Sequence, residues 1–169
     1  STHNFSQETP ESVINLTKTK LINWASSNKI ISSINDQNAK NLSLDKIKDL
    51  DKKWTSTSGL DDFMNQILNN DCSQFLKNLR KENSFIVEAF VMDNKGANVA
   101  MTNKTSDYWQ GDEDKFTKSF NNGNGKIHYG KVTFDESTQT YLIQVSVPVL
   151  ENNKTIGVVT FGIDYGKFK

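Results

Sequence analysis

The stretch MTNKTSDYWQGDEDKF, residues 101–116, holds the densest group of side chains in this chain that could do chemistry. Tyr108, Trp109 and a glycine stand there beside lysines and four acids, which are Asp107, Asp112, Glu113 and Asp114. The acids could ligate a hard metal ion, but their spacing is not that of a calcium loop, in which ligands alternate around an internal glycine. Catalytic carboxylates must face each other across a cleft, and neighbours at one helix start do not. The spacing therefore favours neither a metal site nor a catalytic pair.

The same acids are well placed to begin a helix. Asp112 is a suitable N-cap, and Glu113 and Asp114 in the first turn would complement the helix dipole. Tyr108 and Trp109 need another explanation, because large aromatic side chains at exposed loop positions reduce solubility unless they cover something. Aromatic walls with a few polar groups are typical of small-molecule pockets. The loop is therefore a candidate for ligand binding.

The rest of the chain offers little catalytic chemistry. Neither His3 nor His128 lies near a plausible nucleophile, and no Gly-x-Ser-x-Gly motif, phosphate loop or zinc signature occurs. Cys72 is the only cysteine, so no disulfide within the chain and no cysteine metal cluster can form. We therefore expect no enzyme activity, no cofactor and no metal, and a structural role for Cys72.

The charge balance argues against other function classes. The 169 residues include 20 basic and 20 acidic side chains, scattered along the chain, and the formal net charge is zero. Nucleic-acid binders and electrostatic membrane-surface binders usually carry a basic stripe, and none is visible. The longest apolar runs, such as 158–163, are far too short to span a bilayer. Because the chain starts without an initiator methionine, we expect a mature form or an excised piece, with membrane attachment only through segments absent from this chain.

The first half of the chain has helical patterns. A long helix is predicted over 9–34, with Thr9 as its N-cap and Pro10 at the first helical position. Its apolar residues recur as a single seam, formed by Ile14, Leu21, Trp24 and Ile31. The seam could pack on the helix's own domain, or it could meet the same helix of a second copy and make a homodimer.

Shorter helices are predicted next. Their ranges are 43–54, 60–70 and 71–81. Ser43 is a plausible cap for the first, and Asp71 and Gln74 have capping-box spacing at the start of the last. Together with the long helix they make up an N-terminal helical portion over 9–82.

At Ser84 the pattern changes to strands joined by turns. The predicted strands are SFIVEAFVMD (84–93), ANVAM (97–101), KIHYGKVTFD (126–135), TYLIQVSVPVL (140–150) and TIGVVTFGID (155–164). The turns are DNKG, a strong hairpin signal, and ESTQ and ENNK. With one helix inserted after the second strand, the portion 83–166 has the order β–β–loop–α–β–β–β. Its first and last strands are apolar on both faces, which indicates central positions in a sheet.

This order resembles the extracytoplasmic PAS-like fold of Cache or PDC sensor domains, which occur in many bacterial chemoreceptors and histidine kinases. The likeness is carried by VMDNKGANVAMTNKTSDYWQGDEDKF, FDESTQTYLIQVSVPVL and NKTIGVVTFGID, within residues 84–165. These segments look like the single-Cache, PDC-type pattern, with Asp-x-x-Gly ending a strand, a Thr-Ser-Asp-Tyr loop, Gly-Asp-Glu before the pocket helix and an Ile-Gly-Val final strand. The resemblance implies an α+β fold, with the helices packed on a five-stranded antiparallel sheet of order 2-1-5-4-3.

The resemblance also implies a function. In Cache sensors the segment that corresponds to 103–120 closes over the sheet and leaves the ligand between them. We therefore expect a small-molecule sensor domain for chemotaxis or two-component signalling, on the periplasmic or extracellular side of a bacterial inner membrane. The residues of this segment expected at the ligand are Asp107, Tyr108, Trp109, Glu113 and Lys115.

Polar residues inside the apolar strands complete the predicted site. Gln144 and Ser146 lie two positions apart and therefore share one face of their strand. Tyr129 lies on the neighbouring strand, with His128 pointing the opposite way, and Thr160 lies on the last strand. A polar strand face of this kind could leave room for a ligand, or it could meet solvent.

The ligand class stays open. Amino-acid-binding Cache sensors carry a Tyr and then an Arg-x-Trp-Tyr pattern on this segment, and the Arg holds the ligand carboxylate. Tyr108 matches the aromatic role, but Glu113 stands at the Arg position, and Lys115 could replace the Arg only as a point charge. An amine, a urea-like compound, an amino acid or a carboxylate is therefore expected. The alternatives to a sensor are a structural dimerisation module with a vestigial pocket and a small α+β enzyme.

Overall fold

The computed structural model describes residues 8–168, and His3 lies outside them. The helices of the first half are α1 (Glu11–Leu16), a π-helical turn (Thr17–Leu21), α2 (Ile22–Ala25), α3 (Asn28–Ala39), α4 (Leu44–Ser56), α5 (Asp62–Asn69) and α6 (Asp71–Glu82). The second half contains β1 (Ile86–Met92), β2 (Asn98–Met101), α7 (Asp114–Phe120), β3 (His128–Tyr129), β4 (Thr133–Asp135), β5 (Thr140–Glu151) and β6 (Lys154–Asp164). The predicted α+β class is confirmed. None of the described helices is long and apolar enough to cross a membrane.

The long N-terminal helix of the prediction is broken in the structure. Pro10 is the N-cap of α1, with an extended backbone (ψ 137°), so the helix begins one residue later than predicted and Thr9 is not its cap. The first helical stretch ends at Ser26, and Ser27 caps α3 by accepting a hydrogen bond from the backbone N–H of Lys29 at 3.2 Å. Serine side chains compete for backbone hydrogen bonds, and this Ser-Ser pair accordingly ends one helix and starts the next.

The N-terminal helices bury an apolar face in the chain's own core. Leu21 of the predicted seam is fully buried, and Trp24 and Ile31 are half-buried against the same cluster of side chains. Further fully buried positions in these helices are Val13, Ile30 and Ile34. The seam residues thus pack within the domain itself. A homodimer formed through this helix stays a prediction.

Polar side chains cap the next helices. Ser43 caps α4 as predicted, because its hydroxyl accepts a backbone N–H at 3.1 Å. The cap of α6 is Asn70, whose Oδ1 accepts a backbone N–H at 2.9 Å, so the predicted capping box of Asp71 and Gln74 is wrong. Cys72 lies in the first turn of α6 and is fully buried, and this burial raises the pKa of its thiol to about 11.

The sheet has the strand order β2-β1-β6-β5-β3, and β4 also pairs with β5. The prediction treated 126–135 as one strand, whereas the structure has two short strands, β3 and β4, both antiparallel to β5. Between the pairs Tyr129–Val145 and Thr133–Leu142, the outer strand has one residue more than β5, which is the geometry of a bulge. If β3 and β4 are counted together, the predicted order holds, and β1 and β6 are the central pair as expected.

The predicted hairpin turns are present. In DNKG, Gly96 has φ +88°, a conformation that favours glycine, and it links β1 to β2. In ENNK, Asn152 and Asn153 both have positive φ, 51° and 62°, as the central residues of a type I′ turn require. Glu151 and Lys154 then pair directly across β5 and β6.

Helices cover both faces of the sheet. On one face, α1, α3 and α6 pack over a core that includes Ala89, Val145 and Phe161. On the other face, α4, α5 and α7 surround a second cluster, which includes Phe90 and Tyr108. Gln144, Ser146 and Thr160 of the predicted site lie on this second face, because they alternate with the residues of the first core along β5 and β6.

Candidate ligand-binding site

A cavity of about 450 Å³ lies between α7 and the outer strands of the sheet. We call it the α7 cavity, and its lining residues are Glu113, Asp114, Lys115, Lys118, His128, Tyr129, Gly130, Lys131, Gln144 and Ser146. A hollow of about 370 Å³ adjoins it through Gly130, Lys131 and Gln144 and extends towards Glu88 and Gly162. The fold thus brings together four residues that were expected at the ligand: Glu113, Lys115, Gln144 and Ser146. Tyr129, also expected there, lines the cavity from β3 while its side chain packs against the core on the other face.

The start of α7 supplies the charged wall of this cavity. The N-cap is Glu113, not Asp112 as predicted, and its carboxylate makes no capping hydrogen bond. That carboxylate lies 3.1 Å from the ammonium of Lys115 instead. Asp114 lies in the first turn, as predicted, and its carboxylate is 3.2 Å from Lys118 on the exposed side of the helix.

Burial perturbs the Glu113 carboxyl group. Its pKa is raised, first by burial and then by the neighbouring carboxyl of Asp107, although Lys115 opposes the shift. Lys115 itself is mostly shielded from solvent, and its Nζ lies 5.5 Å from the ring centroid of Phe90. The Lys115 ammonium thus contacts the ring of Phe90 and one carboxyl, that of Glu113. It can bind a second negative group if a ligand offers one.

The strands supply a polar floor. Gln144 Nε2 donates to Glu88 Oε1 at 3.0 Å, which holds both side chains over the sheet. The hydroxyls of Ser146 and Thr160 lie 2.7 Å apart. Thr160 is completely buried and does not line the cavity, so it acts below Ser146 and holds that hydroxyl in place.

The register of β3 reverses one expectation. His128 pairs with Ser146 and therefore shares its face, whereas Tyr129 pairs with Val145 and packs against the larger core cluster. The two side chains point in opposite directions, as predicted. However, His128 rather than Tyr129 lies on the same face as Gln144 and Ser146. Burial lowers the pKa of His128, with a further contribution from Lys118, so its imidazole is neutral at pH 7.

Tyr108 is not the exposed loop residue that the pattern predicted. Only 1% of it is exposed, and its ring lies 5.6 Å from that of Trp54 and 5.2 Å from that of Phe63. Asp51 on α4 fixes this part of the loop, because its Oδ1 accepts the backbone N–H groups of both Tyr108 and Trp109 at 3.0 Å. The expectation failed because the partners of Tyr108 come from α4 and α5, far away in the sequence.

Trp109 and Asp107 lie at a different cavity from the one under α7. The indole N–H of Trp109 donates to the Lys95 carbonyl at 2.9 Å, and Lys48 lies 5.2 Å above its ring. Together with Asp107 and Glu113 it lines a hollow of about 290 Å³ beside α4. Glu113 is therefore the residue that this hollow and the α7 cavity share.

Glu88, Lys118 and Lys131 line or adjoin the α7 cavity but did not stand out in the sequence. Glu88 had a usable signal, since it is the one charged residue within the apolar strand 85–92. The two lysines had none, because many lysines are scattered through the chain. Within residues 8–168, no group of three His, Cys, Asp or Glu side chains is arranged to hold a metal ion.

Comparison with solved structures finds sensor domains among those similar to this chain. The sensor domain of the V. cholerae histidine kinase DctB has a TM-score of 0.51 with 13% identity, over 90% of this chain and 50% of that one. The ligand-binding domain of the Campylobacter jejuni chemoreceptor Tlp3, in complex with 4-methylisoleucine, has a TM-score of 0.44 with 19% identity, over 90% and 64%. That of the Pseudomonas aeruginosa amino acid chemoreceptor PctC, in complex with GABA, has a TM-score of 0.41 with 10% identity, over 94% and 62%. This chain therefore spans about half to two thirds of the length of these domains.

Sequence comparison identifies the family. No curated protein sequence matches the chain. The family model for the first PDC sensor domain of methyl-accepting chemotaxis protein-like proteins matches residues 60–169, which is more than half of the chain. The matched part contains the whole sheet and α7, and the resemblance to PDC sensors is thereby confirmed. The chain belongs to the family of methyl-accepting chemotaxis protein-like first PDC sensor domains.

Proposed function

We propose that this chain is the extracytoplasmic, non-catalytic sensing part of a signalling protein, and that it binds a small solute in the α7 cavity. The observation that carries the proposal is the convergence of Lys115, His128, Gln144 and Ser146 on one cavity under a short helix. A concave site with a few oriented polar groups is the usual form of a small-molecule pocket. Membership of a sensor family supports the same role.

The charges around the α7 cavity favour a solute with a carboxylate. Three lysines line it against two acids, and both acids already lie within ion-pair distance of Lys115 or Lys118. Lys131 has no ion pair among the described residues. Ser146, Gln144 and the neutral His128 would contact uncharged parts of the solute. A small carboxylate or an amino acid is therefore preferred over an amine or a urea-like compound.

Binding there would act on α7. The helix packs against β5 and β6, and a solute between the helix and the strands contacts both at once. We infer that the solute draws the 103–120 segment towards the sheet. A signal of this kind would reach the rest of a receptor or kinase on the far side of the membrane.

A thermal-shift screen tests the proposal. The panel holds small carboxylates, amino acids, amines and urea, with the wild-type chain and the variants Lys115→Met and Ser146→Ala. Saturation at a hundred times the dissociation constant adds about 2.7 kcal/mol, which corresponds to a rise in melting temperature of roughly 5 °C or more. We expect a carboxylate-bearing compound to give this rise in the wild type, and both variants to reduce it.

Lys53→Met is the matched control, because Lys53 is exposed on α4 and lines none of the cavities described above. It removes one lysine without touching the α7 cavity and should leave the shift intact. A panel in which no carboxylate-bearing compound gives a shift, or a carboxylate shift that Lys115→Met and Ser146→Ala both retain in full, would contradict the proposal. That result would favour the alternative of a structural module with a vestigial pocket.

A further inference from the structure

A second cavity lies at the opposite edge of the sheet from the α7 cavity. It is an open groove of about 520 Å³ over the edge strand β2, between α3 and α5. We call it the β2-edge cavity, and the lining residues used below are Asp36, Lys40, Gln66, Asp71, Asn98 and Tyr108. It shares no lining residue with the α7 cavity. Any ligand of this groove is therefore distinct from one held under α7.

Asn98 on the floor of this groove has an acceptor without a partner. The residue is 1% exposed, and its Oδ1 is buried with no hydrogen bond in the described part of the chain. Its Nδ2 donates to the Thr105 hydroxyl at 2.9 Å, and that hydroxyl donates onward to the Asp107 carbonyl at 2.8 Å. This chain of donors fixes the orientation of the amide. Asn98 itself lines the groove, whereas Thr105 does not.

Tyr108 forms an aromatic part of the same groove. Its ring is packed between those of Trp54 and Phe63. Buried polar groups in folded proteins are nearly always hydrogen-bonded, so the unpaired Asn98 acceptor beside a groove calls for a partner from outside the chain. Asn98 Oδ1 can only accept, and it therefore requires a ligand with an N–H or O–H donor.

The rim of the groove selects the charge of that ligand. Asp36 and Asp71 place two carboxylates there against the single ammonium of Lys40. Neither carboxylate has an ion pair among the described residues. The local charge is therefore negative, which favours a cation. From the donor requirement and this charge we propose that the β2-edge cavity binds a small primary amine.

Calorimetric titration of the chain with n-butylamine and putrescine tests the proposal, with n-butanol and butyrate as matched probes. We expect saturable binding of the two amines only. In the amide spectrum of the labelled protein, the side-chain resonance of Asn98 should move on titration. Replacement of Asp36 or Asp71 by Asn should weaken amine binding by roughly threefold each, as for a solvent-exposed ion pair.

Gln66→Trp and Lys115→Met separate this site from the α7 cavity. Gln66 is exposed on α5, so a tryptophan there fills the groove mouth without disturbing the core, and amine binding should be lost. Lys115→Met changes only the α7 cavity and should leave amine binding unchanged. Circular dichroism melts check that each variant is folded. The proposal is overturned if neither amine binds, if Gln66→Trp binds them as well as the wild type, or if Lys115→Met is the variant that loses them.

Discussion

At the scale of single residues, Asp51 links two parts of the chain that the sequence pattern treats as separate. Its Oδ1 accepts two backbone N–H groups of the loop that carries Tyr108 and Trp109. Without this acceptor both N–H groups lose their partner in a half-buried place, which costs about 1 to 3 kcal/mol. We therefore expect Asp51→Ala to lower the free energy of unfolding by that amount, measured by urea denaturation.

Two further variants make the Asp51 measurement specific. Asp51→Asn keeps an oxygen acceptor and removes the charge, so its loss should be smaller than that of Asp51→Ala. Asp49→Ala removes an exposed carboxylate from the same helix and should change stability by less than about 0.5 kcal/mol. Equal losses for Asp49→Ala and Asp51→Ala would show that the helix charge matters rather than the loop contact.

At the same scale, only part of the candidate site could be predicted from the sequence. Gln144 and Ser146 could be placed on one strand face because strand alternation is a local feature, whereas their proximity to Glu113 and Lys115 was expected only from the resemblance to Cache sensors. The burial of Tyr108 could not be predicted, because it depends on Trp54 and Phe63, which approach only in the folded chain.

At the scale of elements, the β5–β6 hairpin depends on its two asparagines. Both have left-handed backbone conformations, which β-branched residues adopt at a cost of about 1 kcal/mol or more. Asn153→Val should therefore lower the free energy of unfolding by at least about 1 kcal/mol. Asn153→Gly should leave it unchanged or raise it, because Asn-Gly is the favoured type I′ pair. Urea denaturation of both variants checks the prediction, and equal losses would contradict it.

The elements that the sequence predicted well are those with strong local signals. The cap at Ser43, the DNKG and ENNK turns and the doubly apolar strands all agree with the structure. The breaks were missed, at Ser26–Ser27 in the helix and between β3 and β4 at the sheet edge. The apolar spacing continues across the helix break, so the pattern gives no sign of it. At the sheet edge the alternation of Ile127 and Tyr129 shifts by one residue before Val132 and Phe134, a small change that a prediction of one strand over 126–135 passes over.

At the scale of the whole molecule, the packing of the N-terminal helices bears on association. Leu21 and most other apolar residues of α1 to α3 are buried inside the domain, and Ile22, at 39% exposure, is the large apolar side chain that these helices leave exposed in the described range. Stable dimers bury roughly 800 Å² on each partner, far more than one isoleucine offers. We therefore expect light scattering during size-exclusion chromatography to give the mass of one chain at micromolar concentration. Twice that mass, restored to one chain by Ile22→Lys, would instead support the homodimer.

The break between β3 and β4 also governs how the sheet meets other molecules. A long, regular edge strand presents a row of unpaired N–H and C=O groups that invites strands from other chains, and natural sheets resist this with short edge strands, bulges and lysines. The outer edge here has strands of two and three residues, a bulge between them, and Lys131 within the gap. The irregularity beside the α7 cavity therefore also protects the protein against aggregation through its open sheet edge.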